Sequence, residues 1–329
     1  MSTALYSVLH FLVDFSCAHA MFREFLNGTD GYANILLYNF CAFALQMPIG
    51  TALDWFADRC RRLPAFIAAL GVAVTILGGF THSTVLGLGN ALFHVGGGIG
   101  TIQEDNANGW KGRALGVFVA PGALGLFLGT RLAKNVYIIP ILIAAMSICI
   151  LPLFFLRQIP DAGYSQIRRP KSCLPLLCCF LVVILRSFVG MAVTFEWKQE
   201  PALALAAILA VVLGKAAGGL AAAQFGTRNT VVVSLALAAT CYFLGNQAVF
   251  GIGALFFFNM TMPVTLYQLA LRHPGLPGFS FGLLTFALFL GFLPVYAGFE
   301  VPISGTALGA LGSLLSLVLL LPVARKDGL

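Results

Sequence analysis

Charge is scarce in this chain. Asp, Glu, Lys and Arg make up 9% of its 329 residues, against roughly 25% in an ordinary soluble domain. Hydrophobic residues make up 59%. A chain with so few charges has no way to keep a folded surface in water, which excludes a soluble globular protein and leaves lipid as its solvent. Alternation of apolar and polar residues is also missing, and that excludes the strands of a membrane barrel. Long unbroken apolar runs remain, and in lipid they satisfy their backbone only as helices. Metal-finger and redox spacings are absent from the eight cysteines, of which Cys178 and Cys179 are adjacent and read as small apolar core residues. No HExxH, serine–histidine constellation or pair of catalytic aspartates is visible, so no enzyme chemistry is expected. "GGGIG" (96–100) lacks the Lys-Ser or Lys-Thr of a phosphate loop, and no cofactor is called for.

What is there is a series of twelve apolar stretches: 4–23, 32–53, 63–81, 84–103, 112–130, 135–156, 173–194, 201–223, 229–246, 249–270, 279–298 and 302–323. Each approaches the ~20 residues that cross a bilayer. The first does not read as a cleaved signal peptide, because it lacks a basic leader and holds Asp14 within its apolar run. The expected fold is therefore an all-α polytopic membrane protein with short loops. The net charge of +7 reflects orientation and not a nucleic-acid partner. Arg59, Arg61, Arg62, Lys111, Arg113, Arg168, Arg169, Lys171 and Arg325 fall on the side of the termini, whereas Arg23, Arg131, Lys134 and Lys198 fall opposite. The positive-inside rule then places both termini in the cytoplasm, with the cell membrane as the expected location. "NGT" (27–29) matches a glycosylation sequon on the outer side.

The polar loop 157–172 divides the chain into an N-terminal six-helix bundle, 1–156, and a C-terminal one, 173–329. The halves echo each other at an offset of about 165 residues, as internal repeats do in transporters. "ALFHV" (91–95) lies opposite "FFFNM" (256–260), and "DWFADRCRR" (54–62) opposite "GLAAAQFGTR" (219–228).

"DWFADRCRR" resembles the major facilitator signature G-x-L-A-D-R-x-G-R-R. Ala57, Asp58, Arg59 and Arg62 match, while Asp54 and Arg61 stand in place of its two glycines. In the second half Gly219, Phe225, Gly226 and Arg228 match, and Ala223 and Gln224 replace the Asp-Arg pair. "HFLVDF" (10–15), "ALFHVGG" (91–97), "GVFVAPGALGLFLG" (116–129) and "LRSFVG" (185–190) resemble the fosmidomycin-resistance branch of drug exporters. The resemblance implies two pseudo-symmetric six-helix bundles, a cavity lined by the first, fourth, seventh and tenth helices, and a cytoplasmic charge network. Asp58, Arg59, Arg62, Glu104, Asp105 and Arg113 are the residues expected in that gate. It also implies proton-coupled efflux by antiport and alternating access.

Polar residues fall near the middle of the four helices: Asp14, His94, Arg186 and Asn259. Groups so expensive to bury usually face a bundle interior and find partners. An Asp14–Arg186 pair is expected, either as a proton-operated switch or as a static link between helices. Asp14 and His94 are the candidates for proton coupling; Arg186, Asn259, Tyr38 and Gln268 are the candidates for substrate binding. Asn39, Gln46 and Tyr267 are further polar groups of the cavity, and Lys215 either snorkels to the surface or joins it. His10 and His19, nearer their helix ends, are expected to be structural. Gly125 and Gly129, and Gly214 and Gly218, place small residues four apart for close helix packing.

The leading expectation is a monomeric secondary transporter, a proton-coupled exporter of small amphipathic or anionic compounds. Its partners are the bilayer, protons and a small-molecule substrate. Uptake or facilitated diffusion of an organic anion held by Arg186 is the alternative from the same fold. A transition-metal path along His10, Asp14, Cys17 and Met21 is disfavoured by the mixed softness of its ligands and by the nearby Arg186, so no metal site is expected.

Overall fold

A computed structural model describes residues 2–27, 29–56, 60, 62–156 and 172–324. Asp58 and Arg59 of the expected gate, and the linker at 157–171, lie outside the described residues. The described chain is helical and strandless. Nine of its helices are long and apolar enough to cross a membrane: α1 (Ser2–Phe25), α2 (Gly31–Phe56), α4 (Ser83–Ala107), α5 (Arg113–Arg131), α7 (Leu174–Ala192), α8 (Pro201–Phe225), α10 (Ala248–Arg272), α11 (Pro277–Tyr296) and α12 (Gly305–Ala324). Three more are shorter: α3 (Leu63–Gly78) and α6 (Ile138–Leu153) with 16 residues each, and α9 (Thr227–Phe243) with 17. The twelve helices coincide with the twelve stretches read from the sequence.

Local chemistry punctuates them. Proline opens α8 and α11, where its missing N–H leaves no intrahelical bond unmade. Gly226, at φ +84°, turns α8 directly into α9, a conformation that a side chain would strain. Pro121 interrupts α5 midway, and Met260 interrupts α10 just after Asn259. α1 and α2 each contain a five-residue π-helical turn, Met21–Phe25 and Phe40–Ala44.

Small residues let the helices approach closely. In the first half α5 packs on α1, with Gly125 and Gly129 so near that an added Cβ would lie 2.4 Å from the Phe11 and Phe15 carbonyl oxygens. In the second half α8 packs on α10 through Gly214 and Gly218, where a Cβ would lie 2.2 and 2.0 Å from the Phe256 and Met260 carbonyl oxygens. Two seams join the halves. Gly50 of α2 faces Gly278 of α11, and Gly116 of α5 faces Gly219 of α8. Lipid tails are as apolar as the helix faces, so close van der Waals packing, and not water exclusion, holds such seams.

One end of the bundle collects both termini. Thr3 meets Glu104 at the end of α4, and Arg272 at the end of α10 donates to the Val323 carbonyl of α12 at 2.6 Å. At the opposite end Tyr32 and Tyr296 clasp α2 to α11. Each hydroxyl donates to the other's backbone carbonyl, at 2.7 and 3.0 Å, and the rings stack 4.1 Å apart.

Candidate functional site

Asp14 sits one turn beyond His10 on α1, an (i, i+4) spacing that puts both on one face. α4 brings His94 and Asn90, themselves one turn apart, against that face. The Asp14 carboxylate lies 3.3 Å from His10 Nε2 and 3.6 Å from His94 Nε2, and accepts from Asn90 Nδ2 at 3.1 Å. The two imidazoles meet edge to face with centroids 4.5 Å apart. All three titratable side chains are buried. Gly122, just past the Pro121 break, leaves room for them: a Cβ there would lie 2.3 Å from His10 Nε2 and 2.5 Å from Asp14 Oδ2.

The hydrogen bonds fix the tautomers. His10 Nδ1 is 2.7 Å from the Phe118 carbonyl and His94 Nδ1 is 2.9 Å from the Asn90 carbonyl. A carbonyl oxygen only accepts, so each Nδ1 carries a hydrogen. Each neutral ring then presents an Nε2 lone pair, and both lone pairs face the Asp14 carboxylate. Three electron-rich groups at such distances repel one another unless an electrophile lies among them. One proton on an Nε2, or on Asp14, converts the repulsion into a charge-assisted hydrogen bond. The three ligand atoms lie within 4.8 Å of one another, a spread that also suits a small cation. Lys215 lies within electrostatic reach of Asp14 and His94 and works against a divalent ion there.

The expected Asp14–Arg186 ion pair is not formed. Asp14 turns to the two histidines and Asn90. Arg186 lies 7% exposed, and its Nη1 is buried without a hydrogen-bond partner. Its electrostatic neighbour is another cation, the half-buried Lys215 of α8. Two cations thus lie within electrostatic reach of one another. Tyr38 joins the first cluster, buried beside Cys17 and Asp14.

Other expected residues are engaged elsewhere. Gln268 donates to Thr227 Oγ1 at 2.9 Å, and its carbonyl oxygen accepts from Arg272, so its amide is occupied between α9 and α10. Asn259 is half-buried and donates to the Leu255 carbonyl of its own helix at 2.8 Å. Glu104 accepts from the Thr3 backbone N–H at 2.6 Å. Asp105 accepts the N–H groups of Gly112 and Ala114 at 2.7 and 2.9 Å. Both acids therefore serve the first turns of α1 and α5, where unpaired N–H groups attract them. Arg113 lies within electrostatic reach of Asp105, and Arg62 is exposed. Asp54, the residue in place of the signature's first glycine, reaches across the halves. It accepts from Gly278 and Phe279 N–H at the start of α11, at 2.8 and 2.7 Å.

Solved structures share this fold over nearly the whole chain. The Escherichia coli fucose:proton symporter FucP superposes with a TM-score of 0.67 at 12% identity, covering 98% of each chain. The human organic anion transporter MFSD10 gives 0.65 at 15%, covering 98% of this chain and 99% of its own. The chain has the major facilitator fold. The proton:xylose symporter XylE, with a TM-score of 0.62 at 14% identity over 97% of this chain and 94% of its own, agrees. No protein-family model and no curated protein matches the sequence. α1 and α4 carry the Asp–His cluster, and α7 carries the buried Arg186.

Two residues beside the cluster escape the sequence reading. Asn90 precedes His94 by one helical turn, a spacing that was there to be read. Gly122 could have been suspected from its place after Pro121. His10, expected to be structural for its nearness to a helix end, lies against Asp14, as their (i, i+4) spacing allows.

Proposed function

We propose that this chain is a proton-coupled secondary transporter of small organic anions. It works by alternating access between the halves 1–156 and 173–329. The observation that carries the reading is the buried, unpaired Arg186 beside a half-buried Lys215, which in turn lies within electrostatic reach of a cluster built to hold one proton. A buried guanidinium with an unpaired N–H is costly, and an anionic oxygen is the ligand that offsets the cost. The neighbours in fold include an organic anion transporter and two sugar:proton symporters, which supports the same class.

Electrostatics sets the sign of the coupling. A proton on the His10–Asp14–His94 cluster makes the cavity more positive and favours the anion; the anion in turn favours the proton. Linkage requires this reciprocity. Proton and anion then cross together, which makes co-transport the better-supported mode. Exchange against a proton, the mode implied by the resemblance to drug exporters, requires the two to compete.

Proteoliposomes loaded with a pH-sensitive dye separate the two modes. An inward proton gradient should accelerate entry of small carboxylates or phosphates, with proton influx that follows the anion. Arg186→Gln should abolish both fluxes. Anion entry driven by an outward proton gradient would establish exchange instead, and anion entry indifferent to either gradient would make the protein a facilitator.

A further inference from the structure

A cavity of about 120 Å³ lies away from the Asp14 cluster, between α1, α3 and α6. A single water needs roughly 10–15 Å³ of such space, so the cavity admits a group of several heavy atoms. Its polar wall comes from α1: Ser16, His19, Arg23 and Glu24. Ser16 and Arg23 are seven residues apart, so the cavity runs about 10 Å along the helix. Arg23 and Glu24 lie at the end of α1 far from the termini, beside the end of α3 and the start of α6. The cavity therefore reaches from one membrane interface into the bundle.

The charges in it are half-used. Arg23 Nε donates to Glu24 at 2.8 Å, but Arg23 Nη1 is buried without a partner. His19 Nε2 lies 3.1 Å from the Asn135 carbonyl, which leaves the other ring nitrogen an acceptor. Thr75 and Ser16 already direct their hydroxyl hydrogens to the Gly71 carbonyl and the Met146 sulfur. The wall therefore offers one unsatisfied donor, which asks for an anionic oxygen, together with several acceptors and a carboxylate, which ask for an N–H-bearing cation. Ile76, Phe80 and Ile143 supply an apolar side, and Phe80 is 64% exposed.

We infer that this cavity binds a phosphoethanolamine-type zwitterion, its phosphate on Arg23 and its ammonium toward Glu24 and His19. A membrane lipid headgroup and a free zwitterionic solute share that chemistry. The arrangement is independent of the Asp14 cluster and of the transport reading.

Native mass spectrometry of the full-length protein in detergent tests it, with phosphatidylethanolamine, phosphatidylcholine and phosphatidylglycerol added in turn. Phosphatidylethanolamine should be retained about tenfold better than the other two. Phosphatidylcholine lacks the N–H donors and phosphatidylglycerol lacks the cation. Glu24→Gln should remove the preference, and Ile143→Trp, which fills the space from the α6 side, should remove it independently. Displacement by soluble glycerophosphoethanolamine would assign the site to a free solute; resistance to it would assign the site to lipid. Equal retention of all three lipids, or a preference that survives both substitutions, would overturn the inference.

Discussion

Asp54 of α2 caps the first turn of α11 at Gly278, so one carboxylate ties the two halves of the protein together at the end that carries the termini. The bond joins a negative charge to the positive pole of a helix. Asp54→Asn removes the charge and leaves the shape. The expected cost to the closed seam is about 1 kcal/mol, which shifts the balance between closed and open forms about fivefold. Spin labels at Phe56 and Leu271, both exposed near this end, should show a new population at longer distance. An unchanged distance distribution would mean that glycine packing alone closes the seam.

His10 should matter as much as Asp14. Asp14→Asn and His10→Gln are each expected to cut proton-coupled anion flux by at least about tenfold. Anion-for-anion exchange, which needs no net proton movement, should survive in both. The decisive readout is the pH dependence of uptake, which should flatten in His10→Gln. A wild-type pH profile with lower stability would return His10 to a packing role.

The sequence made the fold legible because the bilayer leaves a long apolar run only one outcome. All twelve helices, even the short α3 and α9, could be placed from hydropathy. Asp14 and His94 were legible for a related reason, since polar groups at that depth demand partners. The partners themselves were not. Asp14 was expected to meet Arg186 by charge alone, but pairing depends on helix rotation, and α4 presents Asn90 and His94 first. Lys215 was ambiguous because a lysine stem can reach either the surface or the cavity. Glu104 and Asp105 read as partners for arginine; Arg113 does lie within electrostatic reach of Asp105, and both acids also accept backbone N–H groups at nearby helix starts. Asp54 read as a lost glycine, when its carboxylate is what spans the seam.

Arg186 and Lys215 should divide the work of holding the anion. Arg186→Gln should weaken anion binding by about tenfold or more, the usual effect of losing a charge-assisted hydrogen bond. Arg186→Lys should recover only part of it, because an ammonium lacks the planar fork. Lys215→Gln should weaken binding less and lower its dependence on pH. Equilibrium binding of a labelled carboxylate to purified protein measures all three. Undiminished binding in Arg186→Gln would remove that residue from the site.

Gly122 and Gly218 should separate chemistry from packing. A methyl at Gly122 would press on the far ends of His10 and Asp14, so Gly122→Ala should lower coupled transport while barely moving the Tm. A methyl at Gly218 would press on the Met260 backbone, which cannot yield cheaply. Gly218→Ala should therefore destabilise the protein by about 1–3 kcal/mol, read as a lower Tm. Equal Tm losses in the two variants would contradict the distinction.

The lone Arg186–Lys215 pair has an electrical consequence. In the proposed carrier, Arg186, Lys215 and the Asp14 carboxylate, with neutral histidines, sum to one positive charge, which persists through any change in the side they face. A monoanion cancels that charge, and a proton bound with it restores it. If the cavity charge itself crosses the field, each elementary charge is worth about 2.3 kcal/mol per 100 mV. The empty carrier would then return as a current, and the membrane potential would set its rate.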